Sequence, residues 1–197
     1  MKPWQRIVGL RPHGAAGPNA GGDSRAAFDD LRNSLEPELK REPGSPLLVR
    51  ASLETLLGAF VTRAQQRRGA IGLVAFELED WKTVHERAGA LAFESVFAEL
   101  GRELRRRVRE SDELGRLGEA QIAAILPGCE LEALDSVSQR LRLSLEALDL
   151  PLEPQPIRPA LATAWLAAAP RPAGASPARL LEELIDALER ARGSGLG

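Results

Sequence analysis

The sequence predicts an α+β domain in which a central, mostly antiparallel sheet is flanked by helices. Residues 70–79 are apolar at most positions, which is typical of a strand covered on both faces. Two shorter apolar runs, at about 113–117 and 120–126, are joined by a Leu-Gly turn and predict a hairpin. Other stretches repeat apolar residues at intervals of three and four, as amphipathic helices do. Because a hairpin requires antiparallel pairing, we expect helices packed on an α+β sheet.

The first 44 residues are expected to differ from the rest of the chain. Residues 1–22 contain glycine and proline without a hydrophobic period, which predicts a flexible tail. Residues 23–44 are predicted to be a helical segment and a linker, and Pro37 interrupts the helix. The apolar stripe of this helix is Phe28, Leu31, Leu35 and Leu39. The main domain is expected to follow, over residues 45–195.

Within the main domain, Ser52 is a plausible N-cap for a first helix. Its apolar face is Leu53, Leu56, Leu57 and Phe60. After the strand at 70–79, a short helix is predicted at 81–87 and a longer one after it. The inward face of the longer helix is Phe93, Val96, Phe97, Leu100, Leu104 and Val108.

Beyond the hairpin, the pattern predicts a helix, a strand and a last helix. The stripe of the first of these helices is Leu134, Val137, Leu141, Leu145 and Leu148. A strand is expected near 159–168. Ser176 and Pro177 are a typical helix start. The inward face of the last helix is Leu181, Leu184, Ile185 and Leu188.

Composition excludes several classes of protein. The formal net charge of the 197 residues is −2, which argues against a protein that coats nucleic acid by bulk charge. One cysteine and two histidines exclude an internal disulfide and a Cys/His zinc cluster. No apolar stretch approaches the roughly 18 residues that span a bilayer, and the N-terminus lacks the apolar run of a signal peptide. We therefore expect a cytoplasmic protein with no membrane partner.

Two carboxylates mark the end of the predicted central strand. Glu77 and Glu79 are two residues apart and so lie on one face of a strand. Carboxylates in such a place suit a hard divalent cation. The alternative is that the strand ends there and the acids reach water. On spacing alone, Glu77 is only a weak candidate for a metal ligand.

Three segments, in the same order, resemble the signatures of the GGDEF family. They are FELEDWK at 76–82 with its continuation through Gly89 and Glu94, the hairpin RLGEAQIAAILP at 116–127, and LERAR at 188–192. The resemblance covers roughly residues 45–195 and implies a nucleotidyl-cyclase-like palm. Diguanylate cyclases of this family join two GTP molecules into cyclic di-GMP, with divalent metal ions neutralising the charge that develops during phosphoryl transfer.

This sequence departs from the family where that chemistry is most demanding. The signature pentad begins with Gly118, but its second glycine is Glu119 and its metal-binding acid is Ala120, which offers no ligand atom. The next glutamate is the neutral Gln121. The strand aspartate that binds metal falls on Glu77, and the phosphate-binding lysine falls on Arg192. The two positions that contact guanine fall on His85 and Glu94. We therefore expect no catalytic residues and no cofactor.

One feature matches the family better. Arg109 and Asp112 correspond to the Arg-x-x-Asp of the inhibitory site, which binds the product cyclic di-GMP. A guanidinium can donate two hydrogen bonds to a phosphate or to a guanine edge, and a carboxylate can accept hydrogen bonds from guanine N–H groups. The same two residues are also suited to closing a helix and starting the hairpin. The neighbouring basic run at 102–109 suggests a phosphate-contacting ridge, but a solvated face paired with acids fits the acidic chain better, so nucleic acid is not expected.

Three hypotheses remain. The first is a non-catalytic signalling module that binds cyclic di-GMP at Arg109 and Asp112 or works through protein contacts. The second is a residual cyclase that uses Mg²⁺ held by Glu77. The third is a structural interaction domain without a ligand. The Phe28–Leu39 stripe would dock a protein partner, form a homodimer, pack within the chain or stay disordered.

Overall fold

The computed structural model describes residues 7–10, 23–67, 69–150, 152, 156–169 and 176–193, with the backbone alone at 7–10 and 23–25. Within these ranges the strands form one sheet. They are β1 (Ile7–Leu10), β2 (Ile71–Leu78), β3 (Glu113–Gly118), β4 (Gln121–Pro127) and β5 (Leu161–Ala169), in the spatial order β1-β5-β2-β4-β3. β2 is antiparallel to β4 and β5, β3 is antiparallel to β4, and β1 is parallel to β5. The predicted α+β fold with a mostly antiparallel sheet is confirmed.

Helices cover both faces of this sheet. They are α1 (Asp23–Leu35), α2 (Arg50–Arg67), α3 (Trp81–Arg107), α4 (Leu131–Glu146) and α5 (Pro177–Gly193). Alternation along β2 divides the core: Leu73 and Ala75 pack with α1, α2 and α5, whereas Val74 and Phe76 pack with α3 and α4. None of the described helices is both long and apolar enough to span a membrane.

The N-terminal helix packs within the chain. Phe28 is 1% exposed, and its ring meets Phe60 of α2 edge to face at 5.4 Å. A 3-10 turn at Glu36–Glu38 follows α1, and it contains Pro37, where the sequence predicts the interruption. Leu48 then joins the sheet edge, since its N–H donates to Leu114 O at 2.8 Å. Of the alternatives for the stripe, internal packing is the one observed.

Two local expectations need correction. Ile7–Leu10, within the predicted flexible tail, form β1. The other residues of the predicted tail, 1–6 and 11–22, lie outside the described residues. Ser52 is not an N-cap, because α2 already begins at Arg50; its hydroxyl accepts the Lys40 N–H at 2.8 Å instead.

Two other expectations are confirmed. The Ser176 hydroxyl accepts the Arg179 N–H at 3.2 Å and caps α5. The predicted pair of helices after β2 is present as α3, which is broken at Gly89. Gly89 has φ +79°, a left-handed value at which a glycine avoids the steric cost of a Cβ.

Candidate functional site

Three of the predicted substrate-site residues meet where β2, β4 and α5 come together. Glu77 lies at the end of β2, opposite Gln121 of β4, and is 3% exposed. Its Oε1 accepts from Arg192 Nη1 at 2.8 Å, and its Oε2 accepts from Gln121 Nε2 at 3.0 Å. Both carboxylate oxygens are therefore engaged by side chains of the chain itself. We call Glu77, Gln121 and Arg192 the acid cluster.

The hairpin turn between β3 and β4 completes this region. Ala120 is 3% exposed, and its carbonyl accepts the Leu78 N–H at 3.1 Å, which ties the turn to the end of β2. Gly118 leaves room for the Gln121 amide, because a Cβ added there would lie 2.6 Å from Gln121 Oε1. Glu119 is exposed at the tip of the turn.

A magnesium site does not fit these residues. Mg²⁺ is usually held by carboxylates and phosphate oxygens in octahedral geometry. Ala120 offers no ligand atom, Gln121 is neutral and donates its amide N–H, and the Glu77 carboxylate already has a cationic partner. Among the described residues, no three His, Cys, Asp or Glu side chains are grouped so as to hold a metal ion.

A second ion pair occupies the region expected to contact a base. Arg116 of β3 donates to Glu94 of α3 through both terminal nitrogens, at 2.5 and 2.9 Å. It also donates to Glu119 O at 2.8 Å, and its guanidinium lies 4.8 Å from the centre of the Phe97 ring. The hydrogen bond from Arg116 lowers the pKa of Glu94, and the same bond raises the pKa of Arg116.

The remaining residues of the β2–α3 connection are arranged separately. His85 packs edge to face on Phe93, with ring centres 5.4 Å apart, and its charge is close enough to add to the lowering of the Glu94 pKa. Glu79, two residues after Glu77, lines a cavity of about 270 Å³ with Asp80 and Arg158. Glu77 is not among the residues that line this cavity. The structure therefore does not combine Glu77 and Glu79 into one site.

Arg109 and Asp112 lie in the turn from α3 to β3, which we call the ligand turn (residues 109–112). The Asp112 carboxylate accepts the Arg109 N–H at 2.8 Å, and the Asp112 N–H donates to Arg109 O at 3.2 Å. Asp112 is buried, whereas Arg109 is exposed. The turn is therefore closed on itself and directs one guanidinium to the surface.

The basic run before this turn is largely paired with acids on the same helix. Arg102 and Arg106 both bind Glu99, at 2.9 and 3.2 Å. Arg106 and Arg107 bind Glu103 at 2.8 and 2.7 Å. Three of these four pairs join residues three or four apart, as is common on solvated helices, where exposed pairs add little stability. This pairing agrees with the solvated-face interpretation rather than a phosphate-contacting ridge.

The sequence missed some residues that belong to the surroundings of the ligand turn. Arg32 of α1 donates to Glu110 O at 3.0 Å and to Glu113 Oε1 at 3.2 Å. Arg105 donates to the carbonyls of Asp112, at 2.7 Å, and of Arg109. Burial lowers the pKa of Arg105, because it removes the guanidinium from water. No sequence pattern signals the Arg32 contact, since its two partners are 78 and 81 residues away.

Comparison with protein families gives a match over most of the chain. Residues 45–196 match the model described as "Diguanylate cyclase, GGDEF domain". Diguanylate cyclase DgcP of Pseudomonas aeruginosa is 27% identical over 135 residues, which are 68% of this chain and 20% of DgcP. The chain thus spans about one fifth of the length of that curated relative.

Solved structures show the same fold. Diguanylate cyclase SiaD of Pseudomonas aeruginosa, in complex with its activator SiaC, aligns with a TM-score of 0.74 and 22% identity over 87% of this chain and 65% of SiaD. The GGDEF domain of DgcB from Caulobacter crescentus, in complex with c-di-GMP, aligns with a TM-score of 0.69 and 15% identity over 79% of this chain and 94% of that domain.

Proposed function

The chain belongs to the diguanylate cyclase GGDEF domain family, and from that premise we propose that it is a non-catalytic signalling module that binds cyclic di-GMP at the ligand turn. The proposal has two parts. The first is that the substrate site does not catalyse cyclisation of GTP. The second is that Arg109 and Asp112 form the nucleotide-binding site.

The acid cluster is the observation that carries the first part. Phosphoryl transfer in this family depends on metal ions that neutralise the triphosphate. The chain has one carboxylate at that place, Glu77, and its charge is already balanced by Arg192 at 2.8 Å. A metal ion would have to displace this guanidinium and would gain no ligand from Ala120. Since a loss of about 1.4 kcal/mol in transition-state stabilisation lowers a rate tenfold, the combined substitutions favour an inactive site.

The base side of the site supports the same conclusion. Glu94 is engaged by both terminal nitrogens of Arg116, so a guanine would compete with a bidentate ion pair for this carboxylate. Glu119 adds a negative side chain at the position where the family has a glycine. A triphosphate approaching this turn would meet that charge without a bound metal to offset it.

The ligand turn supports the second part. Arg109 is exposed, and its backbone is fixed by the Asp112 carboxylate at 2.8 Å. A guanidinium on a fixed backbone loses less conformational freedom when it binds a phosphodiester or a guanine edge. Asp112 holds the turn through this bond, and it is the position to which the family resemblance assigns the contact with guanine.

Titration calorimetry of the whole chain tests both parts. We expect cyclic di-GMP to bind with micromolar or tighter affinity, and GTP with Mg²⁺ to give no turnover. Arg109→Ala should abolish binding. Arg107→Ala is the matched control, because Arg107 carries the same charge on the neighbouring helix end and is paired with Glu103.

The outcomes separate the hypotheses. Equal loss of affinity in both arginine variants would show that charge alone, and not the ligand turn, binds the nucleotide. Formation of cyclic di-GMP from GTP would refute the non-catalytic part and restore the Mg²⁺-dependent cyclase. Failure of both nucleotides to bind would leave the ligand-free interaction domain, which works through a protein partner or a second copy of the chain.

A further inference from the structure

Two arginines donate hydrogen bonds to the backbone of the ligand turn. Arg105 donates to the carbonyls of Arg109 and Asp112, and Arg32 donates to the carbonyl of Glu110. Three of the four carbonyls of the turn therefore accept from guanidinium groups. Neither arginine needs to contact a ligand to affect binding, since together they fix the backbone that carries Arg109. They are positioning residues for the turn.

Arg32 is unusual because it comes from α1, which precedes the family-matching residues 45–196. Its side chain is 19% exposed, and it also binds Glu113, whose side chain is 1% exposed. Arg41, from the same N-terminal segment, approaches the other oxygen of Glu113 at 3.5 Å. A buried carboxylate needs such partners, so undocking of α1 would remove the shorter of these two ion pairs from Glu113.

From these contacts we propose that α1 is a built-in regulator of the ligand turn, so that docking of α1 and occupancy of the turn favour each other. The physical step is that Arg32 stabilises the turn conformation in which the Arg109 guanidinium is exposed. A ligand that selects this conformation must by linkage stabilise the Arg32 contacts and hence the docked helix. The ligand-dependent half of this inference rests on the proposed function, whereas the coupling between α1 and the turn does not.

Hydrogen exchange of the whole chain, first without nucleotide, tests the coupling. In Arg32→Ala we expect the amides of Arg109 and Asp112 to exchange about tenfold faster or more, because a hydrogen bond from a charged donor is lost. Amides of β2 report global opening, and their rates should rise much less than those of the turn. Arg32→Lys keeps the charge without the planar fork and should give a smaller effect. Arg179→Ala, which removes an exposed arginine from α5, is the charge-matched control.

The second arm adds cyclic di-GMP. In the unmodified chain we expect the amides of α1 to exchange several-fold more slowly when the nucleotide is bound, and in Arg32→Ala we expect this protection to disappear. Unchanged turn amides in Arg32→Ala without nucleotide would overturn the coupling. Equal acceleration in β2 would also overturn it, since Arg32 would then serve only global stability.

The two arms also distinguish this inference from the proposed function. If cyclic di-GMP binds without protecting α1, the regulatory role of α1 is refuted while the ligand site stands. If the nucleotide-free coupling is present but cyclic di-GMP does not bind, the coupling stands and the proposed ligand is refuted. Both expected results together would show that ligand binding at the turn and docking of α1 are coupled.

Discussion

The acid cluster makes a quantitative prediction about Arg192→Ala. Glu77 is nearly fully buried, and the substitution removes the guanidinium that pairs with its carboxylate, leaving the hydrogen bond from the Gln121 amide. Two unit charges 2.8 Å apart attract by about 6 kcal/mol at an effective dielectric constant of about 20. Desolvation of the carboxylate offsets part of that attraction, and the Arg192 side chain is 52% exposed, so water screens the pair. Removing one partner of a fully buried pair costs about 3–5 kcal/mol. For this half-exposed pair we expect a loss of about 1.5–3 kcal/mol.

Urea unfolding at neutral pH measures this loss, and a double variant controls for it. Glu77→Gln with Arg192→Ala removes both charges, and the new amide still has Gln121 as a partner. The double variant should therefore be more stable than Arg192→Ala alone. If the single substitution costs less than about 0.5 kcal/mol, or if the double variant is no more stable than the single one, then Arg192 does not neutralise Glu77. That result would remove the main argument for a metal-free site.

Three further predictions concern other parts of the molecule. Millimolar Mg²⁺ should leave the thermal unfolding midpoint unchanged. A site that binds Mg²⁺ with a Kd about 100-fold below the Mg²⁺ concentration would add about 2.7 kcal/mol to the free energy of unfolding and raise the midpoint by several degrees. Glu94→Gln should reduce stability at neutral pH by up to about 1 kcal/mol in urea unfolding, as expected for an exposed pair. Because the hydrogen bond from Arg116 lowers the folded-state pKa of Glu94, its contribution to stability is present above the ordinary pKa of a glutamate and is lost as the pH falls through the folded-state value. A deficit that grows on acidification would contradict the assignment. Phe28→Ala should cost about 3–5 kcal/mol in urea unfolding and speed amide exchange in α1, and a cost under about 1 kcal/mol would mean that α1 is not part of the core.

Sequence patterns predicted the fold well where the signal was local. The apolar run at 70–79 became β2, and the helical stripe from Phe93 to Leu104 is buried, because burial on one or both faces leaves a period in the chain. The sequence does not predict β1, since four residues carry too little pattern to distinguish an edge strand from a loop. The sequence wrongly predicts Ser52 to be a cap, because a serine at an N-cap and a serine that binds a neighbouring segment look the same in a sequence.

The site was harder to predict, because its contacts join distant parts of the chain. The family resemblance placed Glu77, Gln121 and Arg192 at one site, but their direct bonding depends on side-chain reach that the sequence does not contain. The bond from Arg32 to Glu113 spans 81 residues and lies partly outside the family-matching region. Neither a period nor a motif encodes such a contact. It depends on how α1 packs against α2, which Phe28 and Phe60 determine.

The substitutions at the acid cluster are physically linked and need not be explained one by one. Two carboxylates side by side repel each other unless a metal ion lies between them. With Ala120 in place of the second acid, that repulsion is absent, and one cation is enough to balance Glu77. Arg192 supplies it on a long side chain from α5, while the Gln121 amide takes the second oxygen. Restoring only one family residue, such as an aspartate at 120, would place a second buried charge beside Glu77 without restoring the metal. On the proposed non-catalytic assignment, cyclase activity would therefore require several simultaneous changes, and each single change should destabilise the fold.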